Sequence, residues 1–232
     1  MTKMSSSLRR RRLAGRVPAQ RGTTLVEVLV TIIILMVGLL GLVGLMVQSQ
    51  RGQVESYQRV QALVIMQDMV NRINTNRKAA ACYSISSATA AGTGFLGTAG
   101  TGAGTIPANC NVVVPAVTLE QQAAAIRDMT EWNALLLGSA ETSGVTAVGA
   151  MIGARGCVHQ VDTSASGVVE VVYRVTVTWQ GQGATAAPPA FNASAPRQGV
   201  ACGRGLYDPT TATDLLRRAV YQDVQIVNLL GT

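Results

Sequence analysis

The carboxylate of Glu27 stands at the mouth of an apolar run that carries no charge from Val28 to Val47. An ionisable group inside a bilayer costs several kcal/mol unless a partner neutralises it, so an acid at this position reads as functional. Thr23 lies four residues upstream, and a separation of four puts two groups on one helical face. The step before it, Arg21-Gly22, has the character of a cleavage site. Glycine allows close approach of another surface, and the chain upstream is a basic, disposable leader. Cutting between Gly22 and Thr23 would give Thr23 a free ammonium. A buried ammonium and carboxylate then neutralise each other, within one chain or between neighbours.

Other residues with chemical potential are weaker candidates. Cys82, Cys110, Cys157 and Cys202 all lie beyond the apolar run and lack the C-x-x-C pairs of a zinc site or a redox motif. Two structural disulfides are expected on the oxidising side of a membrane. Four cysteines allow three pairings, of which the sequential one, Cys82 with Cys110 and Cys157 with Cys202, is preferred. The single histidine, His159, falls in an expected strand beside Cys157, with no Ser/His/Asp or paired-carboxylate constellation, so no enzyme is expected. Gly92-Thr-Gly94-Phe-Leu-Gly97 matches G-x-G-x-x-G but lacks the strand before and the helix after that a dinucleotide site requires. No cofactor and no metal follow from these residues.

The elements that must position Glu27 begin with a helix. A run of about 20 apolar residues spans a bilayer core of about 30 Å. Lys3, Arg9, Arg10, Arg11, Arg12, Arg16 and Arg21 precede it with no acid among them, which keeps the N-terminus cytoplasmic and exports the rest. The run is too long for the core of an ordinary secretory signal, which is about 7 to 15 residues. Gly38, Gly41 and Gly44 recur on one side, where small residues admit close helix packing and weaken the helix locally.

Beyond Val47 the helix turns amphipathic, with Ala62, Ile65, Met66, Met69 and Ile73 at helical spacing. No proline occurs from Arg21 to Ile106, so one helix from about Thr23 to about Asn74 is expected. A loop rich in Ala, Gly, Ser and Thr follows, with Phe95 and Leu96 its only large apolar pair. Thr118-Leu-Glu-Gln121 opens a second helix that Gly138 closes, with Ile126, Met129, Ala134 and Leu137 facing the long helix and Trp132 as an anchor. Strands are expected over 145–152, 157–161, 167–180 and 219–230. In the third, alternation implies one buried and one partly wet face, as in an antiparallel sheet. Residues 181–207 form a second irregular loop.

A short basic leader, Gly22, the Thr-Leu-Val-Glu box ending at Glu27 and the apolar helix together resemble a type IV prepilin signal, with Thr23 where most pilins carry Phe. The strand Tyr-Arg-Val-Thr-Val-Thr-Trp ending at Trp179, with Cys157 before it and Leu39-Leu40-Gly41-Leu42 in the span, resembles the PilV type of minor pilin. The resemblance implies cleavage by a prepilin peptidase, N-methylation at Thr23, and assembly guided by Glu27. It further implies a pilus tip complex with other minor pilins, the major pilin and a tip adhesin. The fold implied is α+β, a long N-terminal helix packed on an antiparallel sheet. Its segments are a leader over 1–22, a membrane and filament-core helix over 23–47, the amphipathic half over 48–75 and a disulfide-containing head over 76–232. Before assembly the head would lie in the periplasm, anchored in the inner membrane; afterwards the chain would be in a surface pilus.

Composition restricts the other classes. The formal net charge of +7 belongs to the seven basic residues of the leader, since the remaining chain holds twelve Lys and Arg against twelve Asp and Glu. A neutral mature chain leaves no electrostatic footprint for nucleic acid. A minor pseudopilin of a type II secretion system shares the leader and Glu27, and an anchored binding protein that never assembles would keep its leader.

Overall fold

The computed structural model describes residues 22–85, 94–100, 110, 117–163, 170–192, 194–195, 197–208 and 213–227. The chain divides into two compact units, Met1–Ser49 and Gln50–Thr232. The leader over 1–21 and parts of both expected loops lie outside the described residues.

Helix α1 runs Leu25–Thr75. In the first unit every described residue is exposed, Leu40 and Leu45 to more than two thirds of their surface. Among the described residues, α1 is the one helix long and apolar enough to cross a membrane. An apolar helix exposed on all sides has its stable environment in lipid or among other helices.

The second unit is built on the other half of α1. Ala62, Ile65, Met66, Met69 and Ile73, the expected stripe, are all buried, together with Gln58 and Val70. A 3-10 turn over Arg77–Tyr83 follows, then strand β1 (Leu96–Gly97), helix α2 (Leu119–Leu136), the short hairpin β2 (Thr142–Ser143) and β3 (Thr146–Ala147), and the long strands β4 (Arg155–Thr163), β5 (Glu170–Gln180) and β6 (Arg217–Val227). The main sheet has the order β1-β4-β5-β6 with every pair antiparallel. This is an α+β, type IV pilin-like layout, a long N-terminal helix packed on an antiparallel sheet.

The expected capping box starts α2: the Gln121 N–H donates to Thr118 Oγ1 at 3.2 Å, and the Thr118 N–H to Gln121 Oε1 at 3.1 Å. Its buried face differs from expectation, being Ala125, Met129, Trp132 and Leu136, whereas Leu137 is exposed and Ile126 and Ala134 are half-buried. Trp132 sets the phase. Its Nε1–H donates to the Ile65 main-chain oxygen at 2.8 Å, and its ring lies over Gly156, where a Cβ would come within 2.4 Å of it. Arg72 adds a polar tie between the helices, reaching Asp68, Asp128 and Glu131 at 2.8, 3.0 and 2.6 Å.

Three further expectations are corrected. Of the expected strand 145–152 only Thr146–Ala147 is strand, the exposed β3 of the short hairpin, because among the described residues it pairs with the two residues of β2 alone. Leu96 and Gly97, expected in a loop, pair with Gly156 and Arg155 of β4. The second face of β5 is also not wet: Val172, Arg174, Thr176 and Thr178 are all buried. The chain after β5 crosses this face and is bound down by arginine. Arg174 donates to Asp223 through two nitrogens at 2.7 and 2.9 Å, and to the main-chain oxygens of Gly199 and Arg197 at 3.0 and 2.8 Å. Arg217 donates to the oxygens of Val200 and Cys202, both at 3.1 Å, and pairs with Asp214 at 3.2 Å. The Arg155 guanidinium lies 4.7 Å from the Tyr207 ring centre. Charge-assisted bonds to carbonyls let three cations be buried where bare charges would be costly.

Candidate processing and assembly site

Gly22, Thr23 and Thr24 precede the helix in non-helical, exposed backbone. The Val28 N–H donates to the Thr24 main-chain oxygen at 3.2 Å, the first bond of the helical ladder, so Thr24 is the N-cap. Its hydroxyl accepts from the Glu27 N–H at 3.3 Å, satisfying one donor that a helix end leaves open. The Gly22–Thr23 peptide is therefore presented before the ladder begins. A peptidase needs an accessible, unladdered bond, and this one qualifies on both counts.

Glu27 sits in the first helical turn, where the positive end of the helix dipole favours a carboxylate. The placement of Thr23 differs from expectation. It is outside the helix, so in the uncut chain it does not share a helical face with Glu27; Thr24 is the residue that engages Glu27, through the backbone. The reason is the strong preference of threonine for the N-cap, and Thr24-Leu-Val-Glu27 has the S/T-x-x-E form that signals it. That signal was available in the sequence. Further along, Thr31 Oγ1 donates to the Val28 oxygen at 2.8 Å, so the one hydroxyl in the apolar run is satisfied within the helix.

The remaining named residues lie in the second unit. Disulfides join Cys82 to Cys110 and Cys157 to Cys202, across sequence separations of 28 and 45. The first ties the 3-10 turn to Cys110; the second fixes the crossing loop to β4. His159 projects from β4 beneath that loop, edge-on to Phe191 with ring centres 6.4 Å apart, and neither ring nitrogen has a hydrogen-bond partner. Burial, then the nearby Arg174 charge, pushes its pKa down to about 4, against a weaker opposing pull from Asp223. It is held as a neutral ring. The buried arginines were not anticipated; only Arg174, a cation in the middle of an apolar strand, carried a sequence signal.

A family model described as the prokaryotic N-terminal methylation motif matches residues 18–43, which contain Gly22, Thr23, Glu27 and the first part of the span. No curated protein and no solved structure matches the chain. Together with the capped apolar helix behind it, the motif supports a type IV pilin-like or pseudopilin protein, processed by a prepilin peptidase.

Proposed function

We propose that this chain is a minor pilin of a type IV pilus, which helps to initiate or modify assembly in a tip complex with other minor pilins. The observation that carries the reading is the methylation motif over 18–43, with its Gly22–Thr23 bond exposed ahead of a Thr24-capped apolar helix. Three further features support it. The first unit exposes apolar side chains all round, and in the second unit Val54, Tyr57, Val60, Leu63 and Val64 leave an apolar stripe on α1 uncovered, as helix packing in a filament would use. The disulfides fit a head exported to an oxidising compartment.

In this reading the peptidase cuts after Gly22, Thr23 becomes the methylated N-terminus, and Glu27 meets the amine of a neighbouring subunit in the membrane. Mass spectrometry of the membrane-bound protein is expected to give Thr23 as the first residue, with a bulkier residue at Gly22 blocking the cut. A mature chain beginning at Gln50, or one that keeps Arg21, would overturn the reading. A minor pseudopilin shares the motif and the span. Recovery from sheared surface filaments, against a secretion defect on deletion, separates the two.

A further inference from the structure

Of the three arginines buried beneath the crossing loop, two have what a buried cation needs. Arg174 holds Asp223 and two main-chain oxygens, and Arg217 holds Asp214 and two more. Arg155 is only 8% exposed and lacks such a set. Its Nη1 donates to the Gly153 oxygen at 3.2 Å, and its Nε is enclosed with no acceptor. Its guanidinium carbon lies 5.3 Å from the Phe95 ring centre and 4.7 Å from that of Tyr207. The Tyr207 hydroxyl beside it is neutral, since burial pushes its pKa up against the opposing hydrogen bonds of Thr178 and Arg155. Ring faces and one carbonyl offset part of the cost of burying a cation, but neither carries a countercharge.

No carboxylate of the second unit supplies one. Every Asp and Glu of that unit lies within the described backbone, and no carboxylate oxygen is paired with Arg155. Asp214 and Asp223 are held by Arg217 and Arg174, and Asp208, next to Tyr207, accepts from Thr213 at 3.1 Å. Asp162 stands seven residues further along β4, and Glu170 eight residues along β5 from Thr178, the strand partner of Arg155. Strand rise puts both more than about 20 Å away. The remaining nitrogen, Nη2, has no acceptor and, unlike Nε, is not enclosed. A Cβ on Gly153 would stand 3.6 Å from Nη1, so the glycine keeps that side of the guanidinium clear. Ile152 and Leu206, the residues before Gly153 and Tyr207, are 46% and 44% exposed. Arginine and tyrosine beside exposed apolar residues are the composition that protein interfaces concentrate.

We propose that Arg155 is a docking point for a carboxylate side chain of a partner protein, received at Nη2 in the notch formed by Phe95, Gly153 and Tyr207. The partner's acid supplies the countercharge that the free chain lacks. The site lies wholly within the second unit and depends neither on the span nor on the pilin reading.

The test uses the full chain in detergent micelles with isotope-labelled arginine, in which the Nε–H signal of Arg155 is assigned by its absence from R155K. N-acetylglutamic acid amide, a blocked carboxylate side chain, is titrated at constant ionic strength, with N-acetylglutaminamide and sodium chloride as controls. A saturable shift of that signal is expected with the acid and with neither control. No shift, or the same shift with chloride, overturns the proposal. Urea unfolding gives an independent reading. A cation without a countercharge destabilises the free chain, so R155M is expected to unfold at the same or a higher urea concentration than wild type. R174M, which strands Asp223, is expected to unfold at a lower one. A fall in R155M equal to that in R174M would make Arg155 a packing residue and overturn the proposal. In cells, p-benzoylphenylalanine at position 206 is expected to form an adduct with a peptide containing Asp or Glu, and R155M to abolish it. An adduct that persists in R155M overturns the docking role; a probe response without any adduct assigns the notch to a free carboxylate and overturns the protein partner.

Discussion

At the scale of single residues, two side chains have opposite needs. Glu27 is an exposed residue of the first unit and is not among the α1 residues buried in the core of the second, so its loss should not disturb the folding of the head. Glu27→Ala is expected to insert, be cut after Gly22 and keep both disulfides, yet be absent or scarce in sheared filaments. Normal recovery there would make the acid dispensable. His159 concerns stability. Its folded pKa of about 4 lies below the ordinary histidine value of about 6.5, so the unfolded chain binds the extra proton first as pH falls. The stability linked to keeping this ring neutral is therefore complete above about 6.5 and lost as pH drops towards 4, with a slope of at most about 1.4 kcal/mol per pH unit. Urea denaturation of wild type and His159→Gln between pH 7 and 4 checks it: the wild type should lose more stability across that window. The placement of Glu27 in the first turn of an apolar helix was legible because the membrane penalises charge and makes a lone acid there conspicuous. The pKa of His159 was not, since nothing in the strand pattern says that a loop will cover it.

Elements show the same division between local and long-range information. The stripe on α1 and the capping box of α2 were legible because helical period and capping are local. The phase of α2 was not, because one large side chain, Trp132, selected the face by finding an acceptor on Ile65 and a glycine opposite. Gly156→Ala tests this fit. A Cβ 2.4 Å from the Trp132 ring forces the ring or β4 to move, and a loss of roughly 1–3 kcal/mol in denaturant unfolding is expected. The polar face of β5 was misjudged because its cover, the chain over 181–207, has no periodic signature. Arg174→Ala removes the cation that binds two of that segment's carbonyls and leaves the half-exposed Asp223 unpaired. A loss on the order of 2–4 kcal/mol is expected, with faster amide exchange in residues 197–200. Unchanged exchange there would mean that Arg217 and the Cys157–Cys202 disulfide hold the segment alone.

For the whole molecule, the boundary between the two units falls inside one helix, a division that periodicity alone marks only as a change from uniformly apolar to amphipathic near Val47. The core of the second unit first draws on α1 at Gln58, and Glu55 and Tyr57 add polar ties just before it. A chain of residues 50–232 therefore retains every α1 side chain that the head buries. Exported to an oxidising compartment, it is expected to be soluble, to carry both disulfides and to unfold cooperatively. Starting instead at Met66 removes Gln58, Ala62 and Ile65 and leaves the Trp132 indole N–H without its acceptor. Lost burial of Ala62 and Ile65 plus an unsatisfied buried donor costs several kcal/mol, comparable with the whole stability of many domains. That shorter chain is expected to aggregate or to show exposed apolar surface by dye binding. Equal stability of the two truncations would show that α1 is an anchor attached to the head rather than part of its core.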